Sequence, residues 1–274
     1  MQNSDAVGLP TAAEREVAHL LPIEADPVDA RAVVDGVPFW FHTFALNRVA
    51  GMYTPGVARD HRYRIPALPA RFDGLRVLDV GTFDGFYAFL AEARGARRVM
   101  AIDNEQYRLW VRARWGVELA GGEGFQAIHR LLGSCVEYRR LDAFELHRLG
   151  ERFDFIYCFG ILHRVESPLG LLRLLRERLA PGGWVLVETY GSVAPEDGAV
   201  IRVCEPGEVY AGDDYVYWGF SGHGLEYLAA LAGYERTEVV DTPVVDGHPR
   251  ILATLSAAPR APADGPTAFG AARR

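Results

Sequence analysis

The 274-residue chain contains no lysine; all 29 of its basic residues are arginine. That absence excludes every chemistry that needs the ε-amine: Schiff bases, pyridoxal phosphate anchoring, Walker-type phosphate binding and protein-kinase catalysis. Cysteine is scarce. Cys135, Cys158 and Cys204 are far apart and form no CxxC pair, so neither a disulfide framework nor a zinc site is predicted, and no metal is expected. No apolar run approaches the ~20 residues of a membrane span. The first residues, MQNSDAVGLPTAAEREV, lack the basic start and apolar middle of a secretory signal. A soluble, cytoplasmic protein is therefore expected. Positive charge is also short: 36 acidic residues outnumber the arginines, for a net charge of −7, which argues against nucleic acid as a partner.

What is present is globular. A hydrophobic fraction of 49% and a charged fraction of 24% suit a folded domain, and a chain of this length buries about three-quarters of its unfolded surface without a covalent staple. The pattern changes around Asp73-Gly74. Before it lie a helix near 11–21 and the aromatic stretch Phe39-Trp40-Phe41-His42-Thr43-Phe44. After it, short apolar strands alternate with amphipathic helices, as in βαβ units on a parallel sheet. Strands are predicted at 76–81, 98–103, 136–141, 153–159, 184–189, 236–241 and 250–256. Helices are predicted over 85–94, through Trp110 and Trp115, from Leu169 to a stop at Pro181-Gly182-Gly183, and over 222–232. Residues 191–220 fit neither period, and an insertion of that length inside a compact domain is commonly functional. The expectation is an α/β, Rossmann-like, doubly wound, seven-stranded, mostly parallel sheet. An N-terminal helical lid occupies 1–71 and the core 72–258, with 191–220 as a cap after the fifth strand and 259–274 as a disordered tail.

Leu78-Asp79-Val80-Gly81-Thr82-Phe83-Asp84-Gly85 is the central signal. Ligands of open α/β sheets sit beyond the carboxyl ends of the strands. Gly81 and Gly85 let the backbone turn tightly there and approach a bound nucleoside. Asp103 follows about 22 residues on, at the end of the next strand, where a carboxylate accepts both hydroxyls of a ribose. The turn is not GxGxxG, so a pyrophosphate cradle is not indicated and a nucleoside without phosphates fits better. The same turn disfavours a nicotinamide dehydrogenase.

LDVGTFDG, the acid of AID103, FDFIYCFGILH and LAPGGWVLVET together resemble the successive motifs of class I S-adenosylmethionine-dependent methyltransferases. More narrowly, PFWFHTF with TPG, FDFIYCFGILHRVESPL and CEPGEVY are similar to the tRNA wobble-uridine carboxymethyltransferase-like family, over roughly residues 38–258. The resemblance implies S-adenosylmethionine as cofactor and roles by position. Asp79, Gly81, Thr82, Phe83 and Gly85 would line its methionine and ribose portion. Asp103 would take the ribose hydroxyls with Asn104 beside it, and Asp142 and Ala143 would flank the adenine. Phe159 and Gly160 would pass the sulfonium, with Leu162-His163 facing the substrate.

Two departures bear on the substrate. The RNA-modifying family holds an extra cofactor carboxylate with a lysine, an arginine and a tyrosine. This chain has no lysine, and it places His163 where the family has the tyrosine. Plain S-adenosylmethionine and a small-molecule substrate are therefore expected, with a homodimer among the expected assemblies. The acidic balance points the same way, since tRNA binding rests largely on phosphate neutralisation. Methyl transfer from a sulfonium is an in-line displacement that depends on orientation and exclusion of water, and a base titrating near neutrality helps a protic nucleophile. His163 leads the candidates, followed by His42, Tyr53 and Tyr190. The insertion supplies Tyr210, Tyr215, Tyr217, Trp218 and Phe220. With Phe41, His42, Tyr53 and His163, residues Tyr215, Tyr217 and Trp218 form the expected substrate set, suited to stacking a planar ring. The expected activity is methylation of an electron-rich aromatic or heteroaromatic compound of specialised metabolism, at an indole-like ring carbon or at O or N. A tRNA wobble-uridine (carboxy)methyltransferase and a non-catalytic nucleoside-binding protein are the alternatives.

Overall fold

Seven strands build the main sheet: β1 (Arg76–Val80), β2 (Arg98–Asp103), β3 (Glu137–Arg140), β4 (Phe153–Phe159), β5 (Leu179–Tyr190), β6 (Arg236–Asp241) and β7 (His248–Ser256). They lie in the order β6-β7-β5-β4-β1-β2-β3, and a two-residue strand, Val244–Val245, adds to β7. The β1–β2, β2–β3, β1–β4 and β4–β5 pairings are parallel. β7 pairs antiparallel with both β5 and β6, so it alone among the seven runs against the rest. The expected Rossmann-like α/β sheet is the observed one. The computed structural model describes residues 10–59, 61–192, 198–205, 215–245 and 247–257; Tyr210, the tail at 259–274 and residues 1–9 lie outside them.

The strands alternate because each face of the sheet is covered. Along β4, Phe155, Tyr157 and Phe159 belong to one apolar cluster, while Ile156 and Cys158 belong to the other. On the first face lie α3 (Phe86–Ala93) and α5 (Glu123–Leu132), with Val17, Leu21, Trp40, Phe44 and Leu46 of the N-terminal segment. On the second lie α6 (Pro168–Glu177) and α7 (Gly222–Leu231), through Leu171, Leu172, Leu175, Leu225 and Leu228. Helices α1 (Ala12–Ala18) and α2 (Pro27–Gly36), a short hairpin of Ala45–Asn47 with Met52–Tyr53, and a 3₁₀ turn at His61–Ala67 make up the N-terminal segment. Helix α4 (Tyr107–Trp115) follows β2.

Of the elements that differ from the sequence reading, two bear on the main sheet and its cover. Residues 116–135 carry no predicted element, yet α5 forms there between Gly122 and Gly133, both left-handed, and buries Phe125 and Ile128. One apolar repeat between glycines is a weak periodic signal, and burial against the sheet supplies what propensity does not. Pro181-Gly182-Gly183 does not stop a helix. α6 ends at Glu177, and the three residues bulge within β5, where Phe153 pairs Leu179 and Phe155 pairs Trp184. A Cβ at Gly183 would lie 2.9 Å from the Phe153 carbonyl oxygen and 3.0 Å from that of Asp154, so only glycine lets the bulge close. In the insertion, Ile201–Val203 pairs antiparallel with Trp218–Phe220, and Phe220 is fully buried in the core.

Candidate functional site

A cleft of about 2010 Å³ opens beyond the carboxyl ends of β1, β2 and β4, between them and the N-terminal segment. Its floor is the turn after β1. Thr82 Oγ1 donates to Asp79 Oδ2 at 2.7 Å and pins the turn, and burial raises the Asp79 carboxyl to about 6. Gly81 has φ +77, a backbone conformation that favours glycine, and a Cβ there would also displace the Ile161 side chain, whose Cδ1 lies 2.2 Å from that position. Phe83 also has positive φ, +53, which is costly for a bulky residue. Its ring is stacked between Tyr107, at 3.9 Å, and Phe41, at 4.8 Å, and this packing holds the conformation.

Asp103 ends β2 with its carboxyl almost wholly buried. It accepts the backbone N–H of Phe83 at 2.9 Å and of Glu105 at 2.6 Å, yet burial outweighs both bonds and raises it to about 6. Beside it, Asn104 Nδ2 donates to Asp142 Oδ2 at 2.7 Å, and Asp142 Oδ1 caps the 3₁₀ turn at Ala143–Arg148 by accepting the Phe144 N–H. Opposite, Phe159 ends β4, Gly160 follows at φ +71, and a Cβ on Gly160 would meet only open space.

A charged cluster that the sequence reading missed closes the other wall. Glu188, fully buried in β5, accepts Tyr63 Oη at 3.0 Å, Arg64 Nη2 at 2.9 Å and Arg250 Nε. Burial alone would raise its carboxyl. Arg250 and Arg64, helped by the bonds from Arg250 and Tyr63, overcome that and hold it at about 2. The Arg64 guanidinium also lies 4.9 Å from the centre of the Phe159 ring. Charged residues inside the apolar runs VLVET and PRILA were the available signal.

The cleft brings together much of the predicted set: Asp79, Gly81, Thr82, Phe83, Asp103, Asn104, Asp142, Ala143, Phe159 and Gly160, with Phe41, His42, Tyr215 and Tyr217. Gly85 is elsewhere. It caps α3 at φ +89, and its missing Cβ leaves room for Phe89 and Phe125. His163 is fully buried and does not line the cleft; its Nδ1 accepts the Tyr190 N–H at 3.2 Å and lies 3.3 Å from Thr189 Oγ1. Burial, followed by Arg164, Arg250 and Arg64, pushes its imidazole well below the ordinary range, and its Nε2 has no protein partner. Tyr190 is buried beside it with its hydroxyl 3.2 Å from His248 Nδ1. Tyr53 pairs with His19 at 2.8 Å on the outer surface of the N-terminal segment, and Trp218 donates to the Val165 carbonyl at 2.8 Å. None of these last three lines the cleft.

The arrangement suits a nucleoside with no phosphates. It offers a buried carboxylate at a strand end, amide and carboxylate groups beside it at Asn104 and Asp142, and glycine backbone at Gly81 and Gly160. The methyltransferase-domain family matches residues 55–239. The tRNA U34 carboxymethyltransferase of Chromohalobacter salexigens is 30% identical over 179 residues, covering 62% of this chain and 47% of that protein. That of Klebsiella pneumoniae is 28% identical over 169 residues, covering 61% and 46%. The chain thus spans about half the length of the curated relatives it matches. Among solved structures, the N-terminal domain of EvdMO1, crystallised in the presence of SAH and D-fucose, has the same fold. Its TM-score is 0.58 at 18% identity, covering 86% of this chain and 98% of that one. YcgJ from Bacillus subtilis has a TM-score of 0.51 at 13% identity, covering 71% and 97%. The chain belongs to the methyltransferase-domain family.

Proposed function

We propose that the chain methylates a small, electron-rich aromatic or heteroaromatic molecule. The observation that carries this reading is the wall of rings facing the strand ends: Phe39, Phe41, Trp110 and Trp115 from one side, and Tyr215 and Tyr217 from the other. Rings at this density suit a planar guest, which they hold by stacking and edge contacts.

Asp103 accepts the ribose hydroxyls, Asn104 and Asp142 border the adenine, and the turn from Asp79 to Phe83 supports the methionine portion. Phe159 and Gly160 flank the sulfur. When bound, S-adenosylmethionine supplies an electrophilic methyl group on a sulfonium. The chain's own contribution is to align the acceptor and keep water out. The N-terminal segment acts as a lid, bringing Phe41 and His42 over the strand ends. Of the four side chains expected to take a proton, His42 is the one that lines the cleft; His163, Tyr190 and Tyr53 serve packing and local bonding instead.

A second reading, modification of tRNA, is favoured by the names of the curated relatives. The net charge of −7 and the lack of lysine weigh against it. Incubation with methyl-labelled S-adenosylmethionine and either a small-molecule extract or total tRNA of the source cells separates the two. Label in a low-molecular-weight product supports the first reading. Label in tRNA, with salt-dependent binding of tRNA, replaces it by the second.

A further inference from the structure

Asp84 sits in the turn after β1 and is buried against the N-terminal segment rather than lining the cleft. One of its oxygens, Oδ2, accepts the backbone N–H of Phe41 at 2.9 Å and of His42 at 2.8 Å. The other, Oδ1, bonds to Nδ1 of the His42 imidazole. One carboxyl therefore holds both the backbone and the ring of His42. An ionised carboxylate accepts only, so it selects the Nδ1–H tautomer and leaves the lone pair on Nε2, in a side chain that lines the cleft. Anchoring of the N-terminal segment alone is met by the two backbone bonds; the third bond sets the state of the imidazole.

The ring has little freedom. Phe86 lies 5.6 Å away, Tyr87 5.8 Å, Phe44 6.5 Å and His61 5.6 Å, centre to centre. The titratable and charged groups around it are Asp84 in the turn, Asp79 on β1, Tyr87 on α3, and His61 and Arg64 on the 3₁₀ turn. His61 is driven well below its ordinary range by burial, then by His42 and Arg64, and its Nδ1 is engaged with Tyr87 Oη at 2.6 Å. His61 is thus kept neutral, which leaves His42 with the buried carboxylate partner that an imidazolium needs.

We propose that His42 is a catalytic base oriented by Asp84, and that the acceptor atom carries an exchangeable proton, as O–H or N–H, rather than being a ring carbon. This rests on the reading of the cleft as a methyl-acceptor site. In the step, the acceptor's lone pair forms the new bond to the methyl carbon while the C–S bond breaks and its electron pair leaves with sulfur. The acceptor's proton passes to His42 Nε2, Asp84 balances the imidazolium charge, and the proton then returns to solvent through the open cleft. Asp84 acts through His42 and is a positioning residue.

The test has two arms. In the first, ¹⁵N-histidine-labelled full chain with S-adenosylhomocysteine bound is read by two-bond nitrogen–proton correlation. His42 is expected as the Nδ1–H tautomer. An Nε2–H tautomer in the wild type overturns the dyad. In the second, labelled S-adenosylmethionine is offered with catechol and 5-hydroxyindole, and with their proton-free analogues 1,2-dimethoxybenzene and 1-methyl-5-methoxyindole. Label is expected only on the protic members. His42→Asn is expected to lower kcat by about 10²–10⁴-fold with KM little changed, and the loss should shrink at pH values where the acceptor is itself ionised. Label on a proton-free analogue, silence of the whole panel, or an unchanged kcat in His42→Asn overturns the proposal. Failure of the wild type to bind S-adenosylhomocysteine would instead remove the underlying reading of the site.

Discussion

The Phe83 N–H donates to the Asp103 carboxylate at 2.9 Å, tying the turn after β1 to the tip of β2. This bond places the carboxylate proposed to receive a ribose directly beside the turn proposed to receive the rest of the nucleoside. It does so at a cost, since the carboxyl is buried and raised to about 6.

The first prediction concerns that carboxyl. A raised folded pKa means that the native state holds its proton more tightly than the unfolded chain does. The penalty is absent below the unfolded value near 4, grows as pH rises towards 6, and is fully present above; it amounts to roughly 3 kcal/mol at most. Asp103→Asn removes the titrating group but sets its Nδ2 against one of the two N–H donors, so it is expected to flatten the pH dependence of the free protein's thermal midpoint between 4 and 7 rather than to stabilise it, while weakening S-adenosylhomocysteine by at least ~10²-fold. In the wild type, affinity measured by calorimetry should fall as pH drops through about 6, with proton release on binding in that range. Affinity that is flat from pH 5 to 8 would remove the ribose role.

Gly81 yields a prediction about stability. Gly81→Ala places a methyl group at φ +77 and within 2.2 Å of Ile161 Cδ1. The backbone conformation costs about 1–2 kcal/mol, and the collision adds to it. Ile161→Ala in the same chain should relieve only the collision. Urea denaturation of both variants measures the two contributions, and complete recovery in the double variant would show that the backbone of Gly81 is unstrained.

Glu188 sets a third. Its carboxyl is held at about 2 against an ordinary 4.5, so its contribution to stability is complete above about 4.5 and is lost as pH falls towards 2. Glu188→Gln leaves Arg64 and Arg250 buried without their shared anion and is expected to cost about 3–5 kcal/mol at pH 7. It should also flatten the dependence of the urea midpoint on pH between 4.5 and 2. An unchanged slope in the variant would mean that other carboxylates dominate acid unfolding.

The parts of the fold and site legible in the sequence are those written in local pattern. Strands such as VLDV and FDFIYCF read directly because both faces are buried, and the acid of AID103 reads because it ends a strand at a known distance from a glycine turn. Two kinds of feature were not legible. Asp84 stands in plain view in the turn, but its partner His42 is 42 residues earlier, and no local pattern reports a contact across that span. The Glu188 cluster joins Arg64, Glu188 and Arg250 from three distant segments in the same way. The bulge at Pro181-Gly182-Gly183 was misread because proline and glycines after an amphipathic run usually end a helix, whereas here the helix has already closed at Arg178.

His163 provides the last prediction, because it separates a buried histidine from a working one. Its Nδ1 accepts the Tyr190 N–H, so Nε2 carries the proton and is buried without a protein partner. A residue so placed supports the end of β5. In His163→Asn the amide oxygen falls near the position of Nδ1 and can keep the bond to Tyr190, whereas His163→Ala removes the bond and leaves a cavity. His163→Ala is expected to lose about 2–4 kcal/mol of stability. His163→Asn should lose less, and it should retain S-adenosylhomocysteine affinity and methyl transfer to within about threefold, where His42→Asn loses transfer. Loss of transfer in His163→Asn with stability and cofactor affinity intact would return the base to His163 and require the end of β4 to open towards the cleft during turnover.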